Sequence, residues 1–157
     1  MKSINLLIVD NRRLFRDVLR RLLEHCADFH VVDDVGGRDE AEEAVLGQEI
    51  DIVVFEYVTR RPDGLEMIGI LKRLRPHLKV VVLSGHRQLS DVARVLAAGA
   101  DGFLAAGGVF EELVCGIRHV ANGERYICPS ITHDLAMRGI ESDSAWRRTR
   151  SAPALAI

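Results

Sequence analysis

The sequence predicts a three-layer α/β/α fold around a five-stranded parallel sheet. Three observations carry that prediction. Short apolar runs alternate with amphipathic stretches, giving five strand–helix repeats. The runs are nearly continuous in apolar residues, as in strands buried on both faces. Turn signals separate the units: Gly36-Gly37, Pro62-Asp63-Gly64 and Asn122-Gly123.

The elements follow in order. Ile4 to Val9 is a strand stopped by Asp10 and Asn11. Arg12 to Glu24 is helical, with Leu14, Phe15, Val18, Leu19, Leu22 and Leu23 on one wide apolar face. Phe29 to Val35 is the second strand, and Arg38 to Leu46 a short acidic helix. Ile50 to Tyr57 is the third strand, charged near its end at Glu56; Leu65 to Leu74 is the third helix. Lys79 to Ser84, Leu89 to Ala98 and Gly102 to Ala105 make the fourth strand, fourth helix and fifth strand, with Gly99 capping the helix. Phe110 to Ala121 is the fifth helix. Beyond Gly123 the pattern weakens. Arg125-Tyr126-Ile127 is short, Pro129 to Met137 fits one more small helix, and Ser, Arg and Ala dominate from Gly139. The expected division is a domain over 1–125, then a short helix and flexible tail over 126–157.

At 157 residues and 48% hydrophobic, the chain can bury one sizeable core. A net charge of -2 gives no general signal for binding polyanions. Trp146-Arg147-Arg148-Thr149-Arg150 reads as a solvated tail, so no direct nucleic-acid contact is expected. Cys26, Cys115 and Cys128 lack metal-ligand spacing and read as buried free thiols of a cytoplasmic protein. His25, His30, His77, His86, His119 and His133 are scattered and read as surface or loop residues, not ligands. The apolar start is too short for a signal peptide, and no run is long enough to span a membrane.

In a parallel α/β sheet, functional groups collect beyond the carboxyl ends of the strands. Here those ends carry Asp10-Asn11, Glu56, Ser84-Gly85 and Ala105-Ala106. Two carboxylates meeting there suit a divalent cation. A Ser after the fourth strand and a Lys after the fifth would complete a phosphoryl-accepting site, with the carboxylate of the third strand as nucleophile.

The stretches LLIVDNRRLFRDVLRRLLE, DIVVFEYVTRRPDGLEMI and VVLSGHRQLSDVARVLAAGADGFLAAGG, in this spacing, resemble a response-regulator receiver domain of the NarL/FixJ type. The resemblance covers about four fifths of the chain, from Ile4 to about Tyr126. It implies a flavodoxin-like sheet of order 2-1-3-4-5. It places Asp10 at the first acidic position and Asn11 where the second, more direct metal ligand stands. Glu56 falls at the phosphoacceptor Asp, Ser84 and Phe103 at the switch positions, and Ala106 at the phosphate-binding Lys. Thr59-Arg60 replace the usual Met-Pro, while Asp63-Gly64 are retained.

Three departures touch the chemistry. Asn11 removes a charged metal ligand. Glu56 extends the carboxylate by one methylene, about 1.5 Å, in a reaction sensitive to such misplacement. Ala106 deletes the cation that offsets phosphate charge. Metal binding at Asp10 and Glu56 is therefore expected to be weak or absent, with weak Mg²⁺ binding at most and no other cofactor. Each position also has a plainer reading. Glu56 either mimics a phosphorylated Asp or is a tolerated leftover. Asp10 reads best as the N-cap of the first helix and Phe103 as a core aromatic, while Ser84 reads equally as a turn or cap hydroxyl.

The reading is an atypical, noncatalytic receiver of a two-component phosphorelay system, independent of phosphorylation. It acts in transcription regulation by contact with protein partners, a sensor kinase or regulator, and pairs as a homodimer through helix one, helix five or the helix-four side. No membrane partner is expected. One alternative is a conventional receiver fragment of a DNA-binding regulator. Such a DNA-binding domain would need roughly 60 further residues, so none is expected within this chain. An alternative of another class is a nucleotide- or flavin-binding α/β protein. The loop Asp10-Asn11-Arg12-Arg13 offers no Gly to cradle phosphate and argues against it.

Overall fold

A computed structural model describes residues 2–58, 63–85 and 89–137. The chain order is β1 (Ile4–Val9), α1 (Arg13–Glu24), β2 (Phe29–Val35), α2 (Arg38–Gly47), β3 (Ile52–Tyr57) and α3 (Asp63–Leu74). It continues with β4 (Lys79–Ser84), α4 (Leu89–Ala97), β5 (Gly102–Ala105), α5 (Phe110–Ala121), β6 (Tyr126–Ile127) and α6 (Pro129–Met137). The fold is flavodoxin-like, with a parallel sheet of order β2-β1-β3-β4-β5-β6. Three runs lie almost wholly inside: Leu6, Leu7 and Ile8 on β1, Ile52 to Val54 on β3, and Val80 to Val82 on β4 are at most 1% exposed. Helices cover both faces, which is why these strands read as continuous apolar runs.

Six strands stand where five were expected. Tyr126 and Ile127 pair with Gly102 and Phe103 and are 2% exposed. They cover an edge that the four-residue β5 would otherwise present. Cys128 and Ile131 are buried in the same core, so packing continues beyond residue 125. The tail from 138 onward, including the Trp146–Arg150 stretch, lies outside the described residues.

Local chemistry sets the boundaries. Asp51 ends the approach to β3 by accepting a 2.8 Å bond from the Asn5 amide. Gly99 ends α4 in the left-handed region, φ +112°, where a Cβ would be strained. Asp101, on the far side of that turn, accepts from the Val80 amide at 2.9 Å and from Lys72 Nζ at 2.5 Å. These bonds tie the start of β4 to α3 and to the entry of β5.

Three packing expectations need correction. Only Leu19 and Leu23 of the predicted α1 face are buried, with Phe15 half-buried; Leu14, Val18 and Leu22 are exposed at 77%, 50% and 41%. Periodicity identified six residues sharing a side, but the sheet covers only part of it. Of the cysteines, Cys128 is buried and Cys26 and Cys115 are partly exposed. His119 is also not a simple surface residue. It lies on α5, stacked on Tyr126 at 5.3 Å, with Nδ1 at 2.8 Å from the Cys115 carbonyl. No helix among the described residues is long and apolar enough to cross a membrane.

Candidate functional site

The carboxyl ends of β1 and β3 open into a cleft of about 360 Å³. Asp10, Asn11 and Arg12 line it from the β1 side, Glu56 from β3, Gly37 and Arg38 from the start of α2, and Asp63 and Gly64 from α3. Asp10 is buried and its position is fixed twice over. Its amide donates to the Val35 carbonyl at 3.1 Å, and Arg16 Nη1 reaches its own carbonyl at 2.5 Å.

The Asp10 carboxylate does not cap α1. The helix begins at Arg13, and its N-cap residue Arg12 makes no side-chain cap bond. Asp10 Oδ1 instead accepts from the Arg12 amide at 2.7 Å, a tight turn two residues too early for a cap.

That turn folds Arg12 back over the strand ends. Its Nε and Nη2 donate to Asp10 Oδ1 and Oδ2 at 3.0 and 2.8 Å, a two-pronged pair. Nη2 also donates to Glu56 Oε2, so one guanidinium bridges the carboxylates of β1 and β3. From below, the ring of Phe15 supports the guanidinium carbon at 4.3 Å. The hydrogen bond to Asp10 is the main reason that the Arg12 pKa rises above its ordinary value; partial burial opposes it, and the charges of Asp10 and Glu56 add to it.

The remaining predicted positions lie along the sheet from Glu56. Ser84, fully buried, is paired with Tyr57 on one side and Ala105 on the other. Its carbonyl accepts from the Ala106 amide at 2.9 Å. Phe103 is fully buried between Val82 and Ile127, in the plain core position. Ala106 precedes a tight turn in which the Gly108 amide donates to the Ala105 carbonyl at 3.1 Å. A Cβ on Gly108 would meet Glu112 Oε2 at 2.9 Å, so a carboxylate of α5 sits against this corner.

The structure thus brings Asp10, Asn11 and Glu56 to one cleft, with Ser84 and Ala106 one and two strands further along. The residue missed in the sequence is Arg12. Its signal was present: a cation two positions after the first acid, where a metal-binding loop would gain nothing from it. The two carboxylates best placed to hold a cation are the ones Arg12 engages. Among the described residues no group of three or more His, Cys, Asp or Glu side chains is placed to hold a metal ion.

Residues 6–115 match the family described as the response regulator receiver domain. The chain belongs to that family. This receiver is 31% identical over 140 residues to the response regulator UvrY of Escherichia coli (strain K12), covering 89% of the chain and 64% of UvrY. The response regulator GacA of Pseudomonas aeruginosa is 34% identical over 141 residues, with 88% and 64% covered. The receiver therefore spans somewhat under two thirds of the length of these curated relatives. Its fold is similar to that of a LuxR-family two-component response regulator from Aurantimonas sp. SI85-9A1. There the TM-score is 0.82 at 24% identity, over 89% of this chain and 100% of that one.

Proposed function

We propose that this receiver signals by protein contact without accepting a phosphoryl group, as an atypical member of a two-component system that regulates transcription. The observation that carries this reading is the state of Glu56. Its carboxylate stands at the phosphoacceptor position but is already paired with Arg12. A nucleophile held in a charge-assisted bond must give up that bond before it attacks. The corner after β5 offers no compensation. Ala106 puts a methyl where the family has its Lys, and Glu112 brings negative charge to the same corner. Phosphoryl transfer depends on positioning and charge neutralisation, and both are weakened here. Incubation with Mg²⁺ and a small phosphodonor is expected to leave the intact mass unchanged. A gain of one phosphoryl group, abolished by Glu56→Ala, would overturn the reading.

The partner surface is α1, and its occupant is a second copy. Leu14, Val18 and Leu22 form an exposed stripe at four-residue spacing. Set antiparallel about Val18, two such helices place Leu14 opposite Leu22 of the other copy. The same operation brings Asp17 alongside Arg21, within about 3 Å along the axis and on the same flank of the stripe. Both residues are exposed, and the pair is opposite in sign. Sedimentation is expected to show a dimer at micromolar concentration. Val18→Glu sets two like charges at the centre and should weaken it by at least ~10-fold. A monomer at all concentrations, or a dimer indifferent to Val18→Glu, would count against this face.

A further inference from the structure

We propose that Arg12 is the resident cation of the pocket and keeps divalent metal out of it. Carboxylates gathered at strand ends suit a hard divalent ion, which binds through oxygen lone pairs. The metal that the family implies does not fit the present arrangement. Asp10 Oδ1 already accepts two bonds, from the Arg12 amide and Nε, and Oδ2 accepts one from Nη2. Glu56 Oε2 takes the remaining reach of the same Nη2. A metal ion would need these oxygens and would sit against a fixed positive charge.

The guanidinium is suited to the role. Its planar fork matches a carboxylate, and it does not lose its proton in the range where proteins fold. It is held from both ends, by Asp10 at its fork and by the Phe15 ring against its flat face. Asn11 then has an explanation. In the family pattern three carboxylates surround a divalent cation, leaving one net negative charge. Here Asp10, Glu56 and Arg12 also leave one net negative charge. A third acid at position 11 would raise the negative charge of this group by one. The neutral Asn11 and the cationic Arg12 are two halves of one exchange, a metal ion for a side chain.

The inference rests on the placement of Asp10 and Glu56 used above, but not on the failure of phosphorylation. Its test is a Mg²⁺ titration, with no phosphodonor, of the wild type, Arg12→Gln and Arg12→Lys. It is read by backbone amide NMR and by thermal unfolding. In the wild type, millimolar Mg²⁺ should leave the Asp10, Asn11 and Glu56 amides and the unfolding midpoint unmoved. Arg12→Gln removes the charge and the guanidinium fork, leaving a shorter, neutral polar side chain. It should bind Mg²⁺ at least ~10-fold more tightly than the wild type, with saturating shifts at those amides and a midpoint that rises with Mg²⁺. Arg12→Lys, with the charge but not the fork, should fall between. If Arg12→Gln does not fold, Arg12→Lys decides alone by gaining binding or not. A wild type that binds Mg²⁺ as tightly as the variants would overturn the proposal, as would variants that gain nothing. A wild type that is phosphorylated yet binds no free Mg²⁺ would remove the functional reading and leave the role of Arg12 standing.

Discussion

Phe103→Ala is expected to lower the unfolding midpoint by roughly 10 °C or more. The ring is fully buried on β5, flanked by β4 and β6. Emptying such a site costs about 3–5 kcal/mol, the transfer of the ring plus the cavity left behind. For a domain of this size each kcal/mol moves the midpoint by about 2–8 °C. The same residue occupies the switch position that the family resemblance assigns. A ring that alternates between buried and exposed places would contribute less to the folded state. A fall of only a few degrees, with amide shifts concentrated near Ser84, would show that Phe103 is not locked in the core. Calorimetry and NMR on one variant separate the two roles.

How much of this was legible in the sequence depends on how local each feature is. The strands β1, β3 and β4 were readable because double-sided burial leaves an uninterrupted apolar run, and their neighbours end in turn residues. Strand β6 was not, because two residues carry no periodicity. Tyr126 and Ile127 are a strand only by virtue of the edge that β5 presents. The α1 face was overdrawn for a related reason. Spacing tells which side chains share a side, but the extent of cover belongs to the sheet beneath, and Leu14 and Val18 lie outside it. At the site, the acids at the strand ends were visible as candidates. The bridge between them was not, since Arg12 meets Glu56 across 44 positions of sequence. Asp10 illustrates the same limit. Its residue type fits an N-cap, and only the backbone path shows that its oxygen meets the Arg12 amide before the helix begins.

Rebuilding the pocket should bring in the phosphoryl uptake that the proposed function denies the wild type. The combined variant Asn11→Asp, Arg12→Ala, Glu56→Asp and Ala106→Lys is expected to take up one phosphoryl group from a small donor with Mg²⁺, where the wild type takes none. Each change answers one defect. Arg12→Ala releases the oxygens of Asp10, and Asn11→Asp adds a charged ligand, so that a divalent ion can enter. Glu56→Asp withdraws the nucleophile by about 1.5 Å, toward the distance that in-line attack tolerates. Ala106→Lys supplies a cation for the phosphate oxygens at a corner that now holds Glu112. Because positioning and charge act together in phosphoryl transfer, the effects should be far from additive: omitting any one change is expected to abolish most of the gain. The output side can be read on the same protein. With beryllofluoride and Mg²⁺, amide shifts should spread from Ser84 toward Phe103 in the rebuilt variant and, if Arg12 holds the wild-type pocket as proposed, stay absent in the wild type. A folded, Mg²⁺-binding variant that still takes no phosphoryl group would mean that Glu56 or Ala106 is not at the reacting position. The assignment of the site would then have to move elsewhere along the strand ends.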